Sequence, residues 1–303
     1  CTFCTEGQGY WAKVKTKSTE VVSGEISYIS KKMNSLETSK KRTDFYIADS
    51  NFGMYKDDLD TCKALAEEQR KTGYPKYISV TTGKNKQDRI LEAAKIVNGA
   101  MRLHGSVQSL DPEVLKNISR SNISKEQIVD LALKSSEIGT NSVSEVILGL
   151  PGDTKKKHFA TLKTLVDSAF KGIIMYQLMI LPGTEIGLKT TREKYKMQTN
   201  FRIIPRCFGI YEVLGKKISV AEIEEICISN NSLSFEDYLE CRKMNVIIQF
   251  FFNDGIFEEI IFLLRKLNIS AWNWLSKIYE NSSKTQFKKF NKLIRDFAIE
   301  TTK

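Results

Sequence analysis

The sequence predicts an α/β fold with parallel strands, either a barrel or a doubly wound sheet, on three observations. Short β-prone apolar runs alternate with amphipathic helical patterns, one unit roughly every 30 to 40 residues. Nearly every run ends in a small polar turn containing Gly, Pro or Asp. No apolar stretch reaches the ~18 residues of a membrane span, because the most apolar one, "VIIQFFFNDGIFEEIIFLL", is broken by Asn253, Asp254, Gly255 and a Glu pair. Strands that alternate with helices pair in parallel through right-handed crossovers.

The elements follow in order. The chain opens "CTFCTEGQGYW", which fits a loop after an earlier strand, and "STEVVSGEISYISKKMNS" continues it as a helix. Strands are expected over 43–49, 76–82, 101–109, 142–150 and 172–181, and helices over about 57–73, 86–98, 125–139 and 154–170. Asp111-Pro112 and Asp153-Thr154 are helix-start signals. Counting the strand before the opening loop, the pattern is a partial (β/α)6 TIM-like barrel lacking its first strand, with a C-terminal α-helical region. The expected division is 1–190 for the barrel and 191–303 for the helical region. Within the latter, "TREKYKMQTNFRIIPRCFGIY" is basic and aromatic. The segments "VAEIEEICIS", "SFEDYLECRKMNVIIQFFFN", "IFEEIIFLLRKLN", "AWNWLSKIYEN" and "QFKKFNKLIRDFA" read as helices.

The net charge of +10 would suit a polyanion if it were concentrated, but the lysines are strewn through the chain, so a nucleic-acid surface is not expected. With no leader or membrane segment visible, the expected location is the cytoplasm. Six cysteines occur, and only Cys1 and Cys4 are close enough to share a metal or cluster. Cys62, Cys227 and Cys241 fall in stretches read as helical and are expected to be small core residues. Two histidines, His104 and His158, leave little room for imidazole chemistry, and His104 within its strand reads as a satisfied core residue. In a barrel the chemistry sits on the loops after the strands, here "ADSNFGMYKDD", "TGKNK", "QSLDPE", "GLPGDT" and "LPGTE".

Cys1-Thr2-Phe3-Cys4 at the head of such a barrel resembles the last two ligands of the Cys-x3-Cys-x-aromatic-Cys signature of the radical S-adenosylmethionine (SAM) superfamily. On that reading the first cysteine lies upstream of residue 1 and the sequence starts inside the motif. "YIADSNFGMYKDDLD", "HGSVQSLDPEVLKNISRSNIS", "SEVILGLPGDTKKKHFATL" and "YQLMILPGTEI" resemble the strand-end segments of the subgroup that commonly carries an upstream cobalamin-binding domain. "RIIPRCFGIY" and "AEIEEICISNNSLSFEDYLECRK" resemble its C-terminal extension, so the likeness covers nearly the whole chain.

The resemblance implies a [4Fe–4S] cluster held by Cys1, Cys4 and the upstream cysteine, with SAM chelating the fourth iron. Reductive cleavage of SAM would yield a 5′-deoxyadenosyl radical, chemistry that belongs to the cofactor. It also implies cofactor contacts. Phe3 would lie against the adenine; Asp49, Ser50 and Asn51 stand where a motif meets the methionine amino group, although the common Gly-Gly-Glu is absent. Gln108 and Ser109 would face the ribose or carboxylate, and Gly149, Leu150 and Gly152 the adenine. Arg206 and Cys207 are candidate catalytic groups, Arg206 for an anionic substrate group and Cys207 as a thiol donor or radical relay, with burial beside Phe208 the plainer role for the cysteine.

The expected function is radical modification or cobalamin-assisted methylation of an unidentified small molecule, lipid or peptide, with a reductant such as flavodoxin or ferredoxin. Two alternatives stay open: a tRNA-modifying methylthiotransferase, which would normally end in a β-barrel RNA-binding domain, and a zinc-stapled nucleic-acid-binding module, which would need two further ligands.

Overall fold

The structure, a computed structural model, describes residues 1–7, 9, 13–282, 284 and 288–302. Helix α1 (Thr19–Ser35) precedes a parallel alternation: β1 (Asp44–Tyr46), α2 (Asp57–Thr72), β2 (Tyr77–Ser79), α3 (Gln87–Ile96), β3 (Leu103–His104), α4 (Pro112–Asn117), α5 (Lys125–Glu137), β4 (Ser142–Leu148), α6 (Lys155–Asp167) and β5 (Gly172–Gln177). β1 pairs with β2, and β3, β4 and β5 pair in that order, all parallel. A bridge between Ile78 and Met101 joins the two groups into one curved series of five strands. This is the partial TIM-like barrel expected, and every expected strand contains an observed one.

Alternation along the strands sets the two faces. Phe45, Ile78 and Leu103 turn outward into a core shared with Leu65, Ile90 and Ala94 of the covering helices. The opposite, inward face carries Tyr46, Tyr77, His104 and Glu145. Helix starts are capped as their sequences predict: Asp111 accepts from Glu113 N and Val114 N ahead of Pro112, and Ser124 and Gln127 form a reciprocal capping box at α5. At α6 the cap is Thr154, which accepts from Lys157 N, while Asp153 is buried beside His158.

After β5 come a short helix α7 (Lys189–Lys194) and a two-stranded antiparallel ribbon, β6 (Gln198–Val213) and β7 (Lys216–Ser229). Here the reading of "VAEIEEICIS" as a helix is corrected. Residues 220–229 are strand, and Cys227 is a buried strand residue rather than a helical one. Ala and Glu favour a helix locally, but Ile and Val supply β-branched side chains for cross-strand pairing. Leu214 (φ +51) and Gly215 (φ +74) make a two-residue turn of the primed type, whose twist suits a hairpin. The base of the ribbon docks on the barrel: Ile180 N donates to Glu225 O (2.8 Å) and Cys227 N to Leu178 O (2.9 Å).

The remaining described segment is helical, with α8 (Phe235–Ile248), a π-helical turn (Gln249–Asn253), α9 (Glu258–Lys266), α10 (Ala271–Asn281) and α11 (Lys288–Thr302). These helices share a core with the outer face of β4, β5 and α6, where Val146, Leu162, Leu165 and Ile173 meet Met244, Ile247, Trp272 and Leu275. Burying each such side chain contributes about 1.5–3 kcal/mol. Phe159 of α6 locks the contact by edge-to-face packing on Trp272 (5.7 Å) and Tyr279 (5.6 Å). No helix among the described residues is long and apolar enough to cross a membrane.

Candidate functional site

The C-terminal rim of the strands is assembled around the opening loop. Thr2 anchors it: its N–H donates to Ile118 O at the end of α4 (3.0 Å), and its carbonyl accepts from Ile186 N beyond β5 (3.0 Å). Phe3 packs into an apolar cluster with Val114, Ile118, Leu150, Leu178 and Ile186. Thr2 is buried and Phe3 partly so, whereas Cys1 is exposed and Cys4 half-buried. The Thr2 backbone and the Phe3 side chain therefore hold the loop, with the exposed Cys1 and the half-buried Cys4 on either side of them. Cys4 N lies 3.5 Å from Cys1 O, closing a tight turn between them.

Arg120, in the loop after α4, sits beneath Cys1. Its Nη1 lies 3.6 Å from Cys1 Sγ, Nη2 donates to Ser106 O (2.6 Å) and Nε to Asn122 Oδ1 (2.9 Å). Asn122 in turn donates to the carbonyls of Val107 and Ser109, so the guanidinium is braced from below. Burial draws its pKa down from the ordinary arginine value, opposed by the charges of Glu145 and Cys4. An arginine remains a cation under such a shift.

Glu145 projects from the middle of β4 into the barrel. It accepts from Ser106 Oγ (2.7 Å) and lies 3.5 Å from His104 Nδ1. Burial pushes its carboxyl up, and the contacts with His104, Ser106 and Gln108 more than reverse this, leaving it below the usual carboxylate range. Tyr176 on β5 is raised, by burial and by the charge of Glu145.

The loop after β1 reaches the same rim. Ser50 Oγ donates to Glu6 Oε1 (2.8 Å), and Asp49 Oδ1 accepts from Asn51 N (2.7 Å) in an Asx turn. Gln108 has a left-handed backbone (φ +62) and a buried side chain whose Oε1 has no partner. Ser109 is buried and its hydroxyl accepts from Asp111 N (3.2 Å), as part of the lead-in to α4. Leu150 is fully buried beside Phe3.

Gly149 (φ +93) and Gly152 (φ +83) have left-handed backbones. A Cβ on Gly152 would stand 2.5 Å from Asn117 Nδ2, and one on Gly149 would stand 3.4 Å from Cys227 O. The close approach to Asn117 and the left-handed backbone explain Gly152, while Gly149 is explained by its left-handed backbone, since 3.4 Å is an ordinary contact. Arg206 and Cys207 lie elsewhere, at the irregularity between Ile203 and Phe208 midway along β6. Arg206 has φ +66, and no contact among the described residues ties either to the rim.

The structure therefore brings together Cys1, Phe3, Cys4, Leu150, Gln108 and the 49–51 turn. It adds Arg120, Glu145 and Glu6, which the sequence reading passed over. Glu145 had a visible signal, a lone charge inside the otherwise apolar "SVSEVIL". Arg120 in "SRSN" had none, being one lysine or arginine among 46.

The donor set can be tested against an iron–sulfur group. Two soft thiols at short spacing on an anchored loop, with a fixed cation at one sulfur, fit it. No convergent set of three Cys, His, Asp or Glu occurs among the described residues.

Comparison with known proteins agrees. The 2-(S-pantetheinyl)-carbapenam-3-carboxylate methyltransferase of Streptantibioticus cattleyicolor is 28% identical over 84% of this chain and 36% of its own length. The cobalamin-dependent radical SAM methyltransferase TokK of Streptomyces tokunonensis is 27% identical over the same shares. This chain thus spans about a third of the length of these curated relatives. A tRNA-2-methylthio-N(6)-dimethylallyladenosine synthase of Prosthecochloris aestuarii is 24% identical over 78% of this chain and 48% of its own length. Among solved structures, the radical SAM methyltransferase TsrM of Kitasatospora setae, with tryptophan and aza-SAM bound, superposes with a TM-score of 0.52 at 14% identity, covering 64% of this chain and 36% of TsrM. At that identity the likeness is one of fold. The family model of the radical SAM superfamily matches residues 1–166, more than half of the chain, and with the thiol pair and the strand series in place the protein belongs to that superfamily.

Proposed function

We propose that this chain carries the SAM-cleaving part of a cobalamin-assisted radical methyltransferase. The observation that carries the reading is the Cys1–Cys4 loop, anchored through Thr2 at the rim of the barrel with Arg120 beneath it. The names of the two methyltransferase relatives support methyl transfer, and cobalamin is named for TokK.

In this reading Cys1 and Cys4 would hold the [4Fe–4S] cluster, which supplies the electron that cleaves the sulfonium of SAM. The chain's own residues do the rest. The Thr2 anchor keeps the sulfurs over the barrel mouth. Arg120 offers positive charge to the anionic centre. Phe3 and Leu150 form an apolar floor that keeps water from beneath the loop, and the Ser50–Glu6 hydrogen bond ties the 49–51 turn to the same loop. Glu145, Ser106 and His104 line the interior below as a polar tract able to accept or donate hydrogen bonds. The substrate would be an unidentified small molecule, lipid or peptide, and the electrons would come from a carrier such as flavodoxin or ferredoxin.

The test is anaerobic reconstitution of the full natural polypeptide, with iron and sulfide counts and electron paramagnetic resonance of the reduced sample, with and without SAM. The reading expects about four irons and a signal that shifts when SAM is added, both lost in Cys1→Ala and in Cys4→Ala. Zinc in place of iron, or metal content unchanged in both variants, would defeat it.

A further inference from the structure

A cavity of about 900 Å³ lies under the N-terminal ends of β3, β4 and β5, at the opposite end of the strands from the cysteine loop. The strand starts form one wall, and α8, the π-helical turn and α9 form the other. Most polar groups in these walls are already engaged. Asn253 accepts from Ile173 N (2.9 Å) and donates back to Ile173 O (2.8 Å). Arg265 Nη2 caps the chain after α6 by donating to Ser168 O (2.6 Å) and Phe170 O (3.2 Å). Lys171 pairs with Glu258 at 2.5 Å.

Unpartnered buried atoms also line it: Nε of Arg265, and on α8, one helical turn apart, atoms of Asn245 and Arg242. Asn245 is 3% exposed, and neither its Oδ1 nor its Nδ2 has a hydrogen-bond partner. Arg242 has an unpartnered Nε, and its guanidinium lies over the Phe297 ring at 4.9 Å. Burial draws its pKa down, and Arg202 acts in the same direction while Tyr238 opposes. Native proteins rarely leave a buried amide unanswered, and here it stands beside a half-buried guanidinium.

We infer that this cavity is a binding site for a small oxyanion, a phosphate or a carboxylate, taken by the fork of Arg242 with the Asn245 amide donating beside it. A planar guanidinium with free donors matches such a group bidentately, and an amide can add a donor to one ligand oxygen while its own oxygen takes a ligand hydroxyl. The inference rests on α8 and the strand starts alone, and it stands whether or not the cysteine loop carries a cluster.

Inorganic phosphate and acetate would be titrated separately into the full chain at constant ionic strength, set with chloride, and followed by calorimetry and thermal melting. Saturable binding of one of them with a rise in Tm is expected, and which one binds identifies the oxyanion. Arg242→Gln should weaken it by at least about tenfold, as truncating a buried charged partner does, and Asn245→Leu should weaken it with the fold intact by circular dichroism. Should Arg242→Gln fail to fold, Arg242→Lys, which keeps the charge and loses the fork, reads the same point. The inference is overturned if neither anion binds saturably. It is also overturned if the folded Arg242 variant responds as the parent does, since the anion would then be acting on the general positive charge. An Asn245→Leu protein that is more stable and binds the anion equally well would return Asn245 to plain packing.

Discussion

Strand β4 is seven residues long and only Glu145 escapes burial, whereas β6 and β7 run for 16 and 14 residues and leave Phe208 and Ile210 at 71% and 72% exposure, with Leu214 in the turn between them at 98%. Parallel strands cannot be joined without crossover segments, and here the crossovers bring helices that cover the outer face. A ribbon needs only a two-residue turn and its own ladder, so it forms with little help from a core. Cross-strand pairs such as Tyr211 with Ile218 and Glu212 with Lys217 supply the stabilisation instead. Burial holds the barrel together, and register holds the ribbon together.

Substitutions should separate the two. Phe170, fully buried, fills the space behind Gly105, where an added Cβ would stand 2.8 Å from the ring. Phe170→Ala is expected to cost about 3–5 kcal/mol, read as a lowered urea midpoint. A smaller loss would mean that the neighbouring helices collapse into the gap. Glu145 tests the polar side of the barrel. Its folded pKa lies below the unfolded value, so its contribution is full above the ordinary carboxylate pKa and is lost as pH falls through the folded one. Melting curves from about pH 6 to about pH 3 should lose part of their acid dependence in Glu145→Gln, and an unchanged slope would show that the His104 and Ser106 contacts do not hold the charge. The smallest effect belongs to the ribbon. Phe208→Ser should shift stability by no more than about 0.5 kcal/mol, the usual range for an exposed site, and a loss as large as that of Phe170→Ala would mean that the exposed ribbon is covered in solution.

The same contrast explains what could be read from the sequence. The five strands and their helices announce themselves through hydrophobic period, as in "SVSEVIL" followed by "KKKHFATLKTLVD", because burial writes its pattern locally. The ribbon did not, since "VAEIEEIC" carries helix formers and its strand state depends on pairing with residues 198–213. The "LG" turn at 214–215 was the available clue. In the rim, Cys1 and Cys4 were legible as a pair of residue types at a spacing. The 49–51 turn was legible as a loop after a strand. Arg120 was not, because its place under Cys1 arises from a backbone brace through Asn122 that no local pattern encodes. Gly149 and Gly152 were legible as special backbone positions, and both have a left-handed backbone, with a close neighbour, Asn117, at Gly152 alone.

The Thr2 anchor also bears on the order in which the molecule assembles. Its two hydrogen bonds reach Ile118 and Ile186, so the beginning of the chain is fastened to segments that follow the third and the fifth strand. Closures over such long sequence separations form late, after local helices and neighbouring strands have met. The thiols are therefore among the last parts of the barrel to reach their places, and any mutation that slows the docking of β5 delays the site at the far end of the chain.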